Sequence, residues 1–158
     1  VPMVSSEKDI RDLIKSLSWP PNGTRGVGYS RANLFGREFD NYNEFAQNPL
    51  VIAQIEHINA IRKLDKIISV NGLDAVFLGP YDLSASMGMT GDFTNPRFES
   101  TIKSFVRTCK NRNFPAGIHI IRPDKNELQS KINEGFLFIA YSIDTVFLTK
   151  DSKNPITN

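Results

Sequence analysis

Two acidic residues follow two successive apolar stretches of the chain, where buried strands would end. Glu56 comes directly after the apolar run 50–55, and Asp82 lies in the segment 78–88, a predicted loop that follows the apolar run 73–78. Neighbouring parallel strands present their carboxyl ends at one edge of a sheet, where α/β proteins bind small molecules. Each strand would therefore bring one carboxylate to the same edge, and this pairing is the strongest functional indication in the sequence.

The composition favours small-molecule chemistry over binding to nucleic acids or membranes. The chain has 158 residues with 40% hydrophobic and 23% charged content, which is typical of a globular domain with one core. The formal net charge is +2, and Lys and Arg are spread too evenly to form a basic surface. One cysteine and two histidines exclude an internal disulfide and a Cys/His zinc cluster. No apolar run approaches the roughly 20 residues of a membrane span, and no signal-peptide pattern is present, so we expect a cytoplasmic protein.

The first part of the chain predicts an amphipathic helix followed by a long loop. Ser5-Ser6-Glu7 offers an N-cap, and apolar residues follow at helical spacing, namely Ile10, Leu13, Ile14 and Leu17. Pro20-Pro21 ends the helix, because proline lacks a backbone donor and disfavours helical geometry at the preceding residue. Segment 22–36 is a glycine-bearing loop, which we expect to run along a barrel rim or to form a subunit contact.

Four apolar runs alternate with helical patterns in the rest of the chain. They predict parallel strands at 51–56, 73–79, 116–121 and 136–141, side by side in sequence order with helices on the outer face. The opening residues 1–4 are typical of the end of a further strand, so we expect the chain to begin within a domain. Periodicity alone leaves two α/β folds open, a small open sheet and a section of a (β/α) barrel.

Several separated motifs occur together in an order that is specific to one enzyme family. They are PPNGTRGVG at 20–28, Gln54-Ile55-Glu56, GLDAVFLGPYDLS at 72–84, Gly88 and Gly91. The chain closely resembles the HpcH/HpaI aldolase and citrate lyase beta-subunit family of metal-dependent class II pyruvate aldolases, such as 2,4-dihydroxyhept-2-ene-1,7-dioate aldolase. The resemblance implies a partial TIM (β/α) barrel of the phosphoenolpyruvate/pyruvate-binding type, from about the end of strand 4 to strand 8. Residues 1–158 would then be a single domain, the C-terminal half of the barrel.

The resemblance also implies roles for individual residues. The family's metal ligands fall on Glu56 and Asp82, and its catalytic, pyruvate-contacting glutamine falls on Gln54. Two carboxylates, water and the two oxygens of a 2-oxo acid complete an octahedron that suits Mg²⁺, Mn²⁺ or Co²⁺. The backbone amides of Tyr81 and Asp82 would bind the pyruvate carboxylate. Gln54 lies two residues before Glu56, so both side chains point to the same side of the strand.

Each of these residues also has a purely structural interpretation. Taken alone, Glu56 could pair with a lysine at a strand end, and Asp82 could cap the following turn. His119, at the end of a predicted strand, either lines the substrate pocket or is a satisfied histidine. His57 is expected to point outward and to serve in packing, and Cys109 is expected to lie in the core.

The activity implied by the resemblance is that of a carbon–carbon lyase. Such an enzyme cleaves or forms a 4-hydroxy-2-oxo acid, giving pyruvate and an aldehyde through a metal-stabilised pyruvate enolate. In the family, the acid–base histidine and the arginine that steadies the oxygens come from the first half of the barrel, so we expect these 158 residues alone to be inactive. The alternative is a catalytically incomplete remnant that binds metal or a 2-oxo acid, or that acts only with other subunits. The complete protein is expected to be a homo-oligomer.

Overall fold

Four parallel strands form one sheet in the computed structural model, which describes residues 1–152 apart from the side chain of Asp151. The strands lie side by side in sequence order, as predicted, and they are β1 (Ile52–Ile55), β2 (Ala75–Leu78), β3 (Ala116–Ile120) and β4 (Phe138–Tyr141). Each strand pairs with the next in parallel. Parallel neighbours need a crossover connection, because each strand ends at the edge opposite to the one where the next begins.

Helices supply these connections. The helices before β1 are α1 (Glu7–Leu17), a 3₁₀ helix (Arg31–Gly36) and α2 (Phe39–Gln47). Between the strands lie α3 (Ile58–Arg62), α4 (Leu64–Ile67), α5 (Pro80–Ser86), α6 (Pro96–Asn111) and α7 (Lys125–Glu134), and α8 (Asp144–Asp151) follows β4. Within residues 1–152, no helix has the length and apolar composition that a membrane crossing requires.

Side-chain caps define where the longer helices begin. The Ser6 hydroxyl accepts a hydrogen bond from the Asp9 N–H, and Asp9 in turn accepts from the Ser6 N–H, which makes a capping box at the start of α1. Asn95 caps α6 and Asp124 caps α7 through their side-chain oxygens. Gly135 ends α7 with a φ of +105°, the left-handed conformation that glycine adopts without strain. The start of α1 agrees with the N-cap predicted at Ser5-Ser6-Glu7.

The first residues of the chain lie alongside β1. The Val1 amino group donates to the Ile52 carbonyl at 2.6 Å, and the Gln54 N–H donates to the Val1 carbonyl at 2.8 Å. A residue that bonds to positions one before and one after its partner is paired in parallel. Val1 therefore pairs with β1 as a parallel neighbour, but Met3 has a φ of +58° and leaves the extended conformation, so the predicted strand end at 1–4 is limited to this pairing.

One face of the sheet carries the hydrophobic core. Alternate strand residues point to this outer face and are buried there, and they include Ala53, Ile55, Val76, Leu78, Ala116 and Ile118. Ile10 of α1, Leu64 and Ile67 of α4, and Phe98, Ile102 and Phe105 of α6 cover them. The opposite, inner face has no such helical cover among the described residues, and its side chains are mostly half-buried. The core therefore lies between the sheet and one layer of helices.

The glycine loop starts at the amino edge of the sheet. The Thr24 N–H donates to the Lys15 carbonyl at the end of α1 at 2.7 Å, and a shallow pocket joins Gly23 to Val70 and Asn71, which precede β2. The loop therefore begins away from the edge at which the two acidic residues follow their strands. Its expected role in a subunit contact stays a prediction.

Two helical elements were not predicted, the 3₁₀ helix at Arg31–Gly36, which lies within the segment predicted as a loop, and α2, which follows it. The 3₁₀ helix and α2 carry few buried apolar residues, with Asn33 and Ala46 as their buried residues. The Asn33 side chain holds the turn together by accepting from the N–H groups of Ser30 and Gly36 and by donating to the Gly28 carbonyl. Local polar contacts rather than an apolar period stabilise this segment, so hydrophobic periodicity gives no signal for it.

Candidate active site

Two rows of side chains cross the inner face of the sheet. The strand register aligns Gln54 with Phe77, Gly117 and Phe138 in the lower row. Side chains two residues further along each strand point to the same face, so Glu56, Gly79 and His119 form the upper row, nearer the carboxyl edge. The hydrogen bond from the Gly79 N–H to the Ile55 carbonyl, at 3.1 Å, continues the pairing as far as this upper row.

Two aromatic rings of the lower row, Phe77 and Phe138, stack on each other and form an aromatic floor, and their contact depends on a glycine between them. The Phe77 and Phe138 rings stack with their centroids 5.6 Å apart and their planes at 18°, although a whole strand lies between β2 and β4. The residue between them is Gly117, and a Cβ at that position would overlap the Phe138 ring. Because Gly117 has no side chain, Phe138 reaches across β3 to Phe77.

Glu56 is a buried carboxylate that is fixed from two sides. Its side chain is 4% exposed. Oε1 accepts from the Met3 N–H at 2.6 Å, and Oε2 accepts from Gln54 Nε2 at 2.7 Å. Both donors are uncharged, and within residues 1–152 no Lys, Arg or His forms a salt bridge with Glu56. Glu56 is therefore a buried carboxyl group that has no positively charged partner among the described residues, and a bound cation would stabilise its charged form.

Gly79 leaves room beside this carboxylate. A Cβ on Gly79 would lie 3.1 Å from Glu56 Oε2 and 3.2 Å from Gln54 Nε2, which is tighter than ordinary van der Waals contact. Any side chain at position 79 would therefore press on the Gln54–Glu56 pair. The sequence analysis included Gly79 only as part of a family motif and gave it no separate role.

Asp82 lies on a helix rather than in a loop, which corrects the prediction for this segment. Gly79 is the N-cap of α5, Pro80 occupies the first helical position, and Asp82 lies in the first turn. The Ser86 hydroxyl, at the end of α5, accepts from the Ile58 N–H at 2.9 Å, which ties the helix to the chain just after Glu56. The Asp82 carboxylate is exposed, and no hydrogen bond or salt bridge engages it within the described part of the chain.

The Tyr81 ring turns away from the Gln54–Glu56 pair. It packs edge-on against Phe93, with the ring centroids 4.8 Å apart. Both rings line a pocket of about 530 Å³ that α6 and α7 border on the outer side of the sheet. Only the backbone amide of Tyr81, at the start of α5, is consistent with the predicted contact to a substrate carboxylate.

The two histidines occupy different environments. His119 Nε2 lies 3.2 Å from the Ser142 carbonyl, and the imidazole is tilted against Phe77 with centroids 6.4 Å apart. His57 is the N-cap of α3, where its Nδ1 accepts from the Asn59 N–H at 3.1 Å. His57 is therefore a helix cap, whereas His119 belongs to the inner face with Gln54 and Glu56.

Two further residues, Cys109 and Arg25, have structural roles outside the inner face. Cys109 is buried on α6, and burial raises the pKa of its thiol to about 12, which makes it a core residue and not a nucleophile. Arg25, in the glycine loop, lies over the rings of Trp19 and Tyr42, with its guanidinium carbon 5.5 Å and 5.8 Å from their centroids. Arg25 is thus engaged in a local cation–π contact.

The site has too few protein ligands to enclose a metal. Among the described residues, no group of three or more His, Cys, Asp or Glu side chains is arranged to hold an ion. Glu56 and Asp82 are two hard oxygen donors that follow adjacent strands. Such a pair suits a cation that keeps open positions for water or substrate and not a closed structural site.

A parallel sheet with its helices on one face and polar residues at its carboxyl edge is a section of an α/β barrel of the kind used by metabolic enzymes. The chain belongs to the HpcH/HpaI aldolase/citrate lyase family, whose model matches residues 1–150. This confirms the family resemblance inferred from the sequence.

Two curated relatives indicate the activities found in this family. The hydroxypyruvate/pyruvate aldolase of Roseobacter denitrificans is 34% identical over 98% of this chain and 60% of its own length. The 2-keto-3-deoxy-L-rhamnonate aldolase of Klebsiella pneumoniae is 35% identical over 95% of this chain and 56% of its own length. The chain therefore spans somewhat more than half the length of the relatives it matches.

Two crystal structures share the fold. A HpcH/HpaI aldolase/citrate lyase family protein from Burkholderia cenocepacia matches 94% of this chain with a TM-score of 0.87 and 28% identity, and the match covers 59% of that protein. The HpcH/HpaI aldolase from Desulfitobacterium hafniense matches 95% with a TM-score of 0.80 and 27% identity, and the match covers 58% of that protein. The described fold is a partial TIM-type barrel, as the sequence predicts.

Proposed function

We propose that the full-length protein is a carbon–carbon lyase that cleaves a 4-hydroxy-2-oxo acid into pyruvate and an aldehyde, or joins the two in the reverse direction. The relatives named as pyruvate and 2-keto-3-deoxy-L-rhamnonate aldolases support this class of reaction. The observation that carries the proposal is the buried Glu56 carboxylate, which is hydrogen-bonded only to neutral donors at the carboxyl edge of the sheet. A bound cation would stabilise the charged form of this buried group.

We infer that this cation is Mg²⁺, Mn²⁺ or Co²⁺, held by Glu56 and Asp82. The donor set fits, because both groups are hard carboxylates and neither is neutralised by a salt bridge within residues 1–152. The absence of a side chain at Gly79 allows the Gln54–Glu56 pair to keep this position beside β2. When bound, the cation supplies Lewis acidity to the carbonyl oxygen of a 2-oxo acid.

The remaining residues of the site would bind and orient the substrate. Gln54 Nε2 holds Glu56 Oε2, which leaves the Gln54 amide oxygen free to accept a hydrogen bond from the substrate. The amides of Tyr81 and Asp82 lie in the first turn of α5, where backbone N–H groups have no acceptor within the helix. They are therefore suited to a carboxylate. The floor formed by Phe77 and Phe138 gives the site an apolar base.

The experiment measures exchange of deuterium from solvent into the methyl group of pyruvate by the full-length protein with Mn²⁺. We expect Glu56→Gln and Asp82→Asn each to slow the exchange by roughly 100- to 1000-fold, since Lewis-acid catalysis contributes several kcal/mol. Calorimetric titration with Mn²⁺ should show weaker binding in both variants. His57→Ala serves as the matched control and should leave exchange and metal binding within about twofold, because His57 only caps α3.

Undiminished exchange in either carboxylate variant would contradict the proposal. If the wild-type protein bound Mn²⁺ through Glu56 but exchanged no methyl protons, the protein would be a metal-binding remnant rather than an aldolase. Loss of folding as the cause of inactivity is checked by comparing the urea unfolding curves of the variants with that of the wild type.

We also infer that the full-length protein forms a homo-oligomer. Large apolar side chains are exposed around α2, namely Tyr29, Phe35, Phe45 and Leu50, which are 70–76% exposed. Exposed apolar groups in such number are typical of a surface that another chain covers. Light scattering of the full-length protein tests this inference, and the Phe35→Ser and Phe45→Ser pair should shift the measured mass toward the monomer.

A further inference from the structure

A gap lies between Glu56 and His119 in the upper row of the inner face. The register places Leu78 beside Ile55 on one side and beside Ile118 on the other, so Gly79 separates Glu56 from His119. Adjacent strands are about 4.8 Å apart, which puts the two flanking backbones roughly 9–10 Å from one another. Gly79 adds no side chain between the two, and the Glu56 carboxylate and the Gln54 amide lie over its Cα. The gap is therefore bordered by the Gln54–Glu56 pair on one side and by His119 on the other.

The Ser142 carbonyl determines how His119 faces this gap. A carbonyl oxygen only accepts hydrogen bonds, so the 3.2 Å contact requires that His119 Nε2 carries a proton and donates it. In the neutral ring, Nδ1 then has a free lone pair and is an acceptor. Among residues 1–152, Nδ1 of His119 has no hydrogen-bond partner, whereas Nδ1 of His57 is used to cap a helix.

Ser142 is itself unusual in a way that points to a ligand. Its φ is +67°, a left-handed conformation that is strained for a residue other than glycine, and such strain is concentrated at functional sites. The Ser142 N–H donates to the Ile120 carbonyl at 2.6 Å, which locks the turn after β4 next to β3. The Ser142 side chain is 8% exposed, and its hydroxyl has no partner within the described chain. The Ser142 hydroxyl and His119 Nδ1 are therefore two polar groups at the carboxyl ends of β3 and β4 that have no hydrogen-bond partner among residues 1–152.

We propose that His119 determines substrate specificity by accepting a hydrogen bond through Nδ1 from a hydroxyl group on the aldehyde half of the substrate, with Ser142 as the residue that positions the ring. This inference rests on the proposed aldolase function. It predicts a preference for hydroxyaldehydes over aliphatic aldehydes of the same size. An aliphatic chain in this gap would leave the Nδ1 acceptor unpaired and desolvated, and that loss is the usual physical basis for rejecting an analogue that lacks a hydroxyl.

The test compares two aldehydes of nearly equal size, glycolaldehyde and propanal, in aldol addition to pyruvate by the full-length protein with Mn²⁺. The measured quantity is the ratio of kcat/KM for glycolaldehyde to kcat/KM for propanal. In His119→Leu this ratio should fall by roughly 3- to 10-fold, the worth of one net hydrogen bond. A purely structural role of His119 would lower both rates together and leave the ratio unchanged.

Two further variants locate the hydrogen bond on the ring. The Asn amide in His119→Asn reaches the position of Nδ1 and should retain most of the ratio, whereas His119→Gln places its amide at the position of Nε2 and should lose it. His57→Ala is the matched control on the other histidine and should not change the ratio. An unchanged ratio in both His119→Leu and His119→Gln would overturn the inference. Methyl exchange by the wild-type protein tests the aldolase proposal separately, so failure of one is distinguished from failure of the other.

Discussion

The two faces of the sheet belong to the same strands but carry different kinds of side chain. The outer face consists of aliphatic residues such as Ile55, Val76 and Leu78, which are fully buried under helices. The inner face carries an amide, a carboxylate, an imidazole and two aromatic rings, and most of these side chains are half-buried. Side chains alternate between the two faces along each strand, so a substitution at one position changes one face and leaves the other unchanged. Residues that stabilise the core and residues that could carry chemistry are therefore kept on opposite faces.

The largest difference between the faces should appear when one phenylalanine is truncated on each side. Phe105 is fully buried in the outer core, so Phe105→Ala should lower the free energy of unfolding by about 3–5 kcal/mol. Phe77 is half-buried, so Phe77→Ala should cost roughly 1–2 kcal/mol. Urea-induced unfolding measures both values. Equal costs would show that the inner face contributes to stability as much as the outer one, which would contradict the proposed difference between the two faces.

A smaller effect is expected from adding one methyl group to the inner face. Gly117→Ala places a Cβ against the Phe138 ring and should destabilise the protein by about 1–3 kcal/mol, because the ring must move. Gly26→Ala is the control, since a Cβ on Gly26 meets no atom within 4 Å. Its unfolding free energy should stay within about 0.5 kcal/mol of the wild type. If the two variants were equally stable, the Phe138 ring would have another position available.

The capping box of α1 should make the outer face sensitive to acid. The hydrogen bond from the Ser5 N–H, together with bonds from the Ser5 hydroxyl and Ser6, holds the pKa of Asp9 below its ordinary value. A lowered folded-state pKa gives stability that is complete above the unfolded value of about 3.9 and is lost as pH falls through the folded value. We therefore expect the unfolding free energy of Asp9→Asn to change less steeply below about pH 4 than that of the wild type. Parallel pH profiles for the two proteins would exclude this role.

Cys109 reports whether the outer face opens, and its variant-free test changes neither face. With a thiol pKa of about 12, the thiolate is a tiny fraction at neutral pH, and α6 shields it from solvent. Alkylation by iodoacetamide at pH 8 should be at least about 100-fold slower in the native protein than in concentrated urea. Rapid labelling of the native protein would mean that α6 separates from the sheet in the absence of denaturant.

The strands and most helices could be predicted from sequence because their signals are local. Apolar runs locate the four strands, and the helices α6 and α7 begin directly after the capping residues Asn95 and Asp124. The common face of Gln54 and Glu56 follows from their spacing alone. The sequence predicts a loop where α5 begins at Pro80, because this seven-residue helix is too short to show a clear apolar period.

The surroundings of Glu56 could not be predicted, because they depend on contacts between distant parts of the chain. The donor to Oε1 is the Met3 N–H, a backbone group 53 residues away that any residue type other than proline would supply. Gly79 and Gly117 matter because a side chain at either position would come too close to a neighbour. Those neighbours, Gln54 and Phe138, are identified only by the three-dimensional structure. The positive φ of Ser142 likewise has no signature in its residue type.

The Phe138 ring that crosses over Gly117 has a consequence for the evolution of the family. Because one residue occupies the space that the other leaves empty, positions 117 and 138 should change together during divergence, and a larger residue at 117 should be accepted only with a smaller one at 138. In a suppressor screen that starts from Gly117→Ala, revertants should accumulate at Phe138 on the neighbouring strand rather than in the surrounding sequence. The inner wall of the barrel would then adapt to new substrates through paired substitutions, in which a larger side chain on one strand is matched by a smaller one on the next.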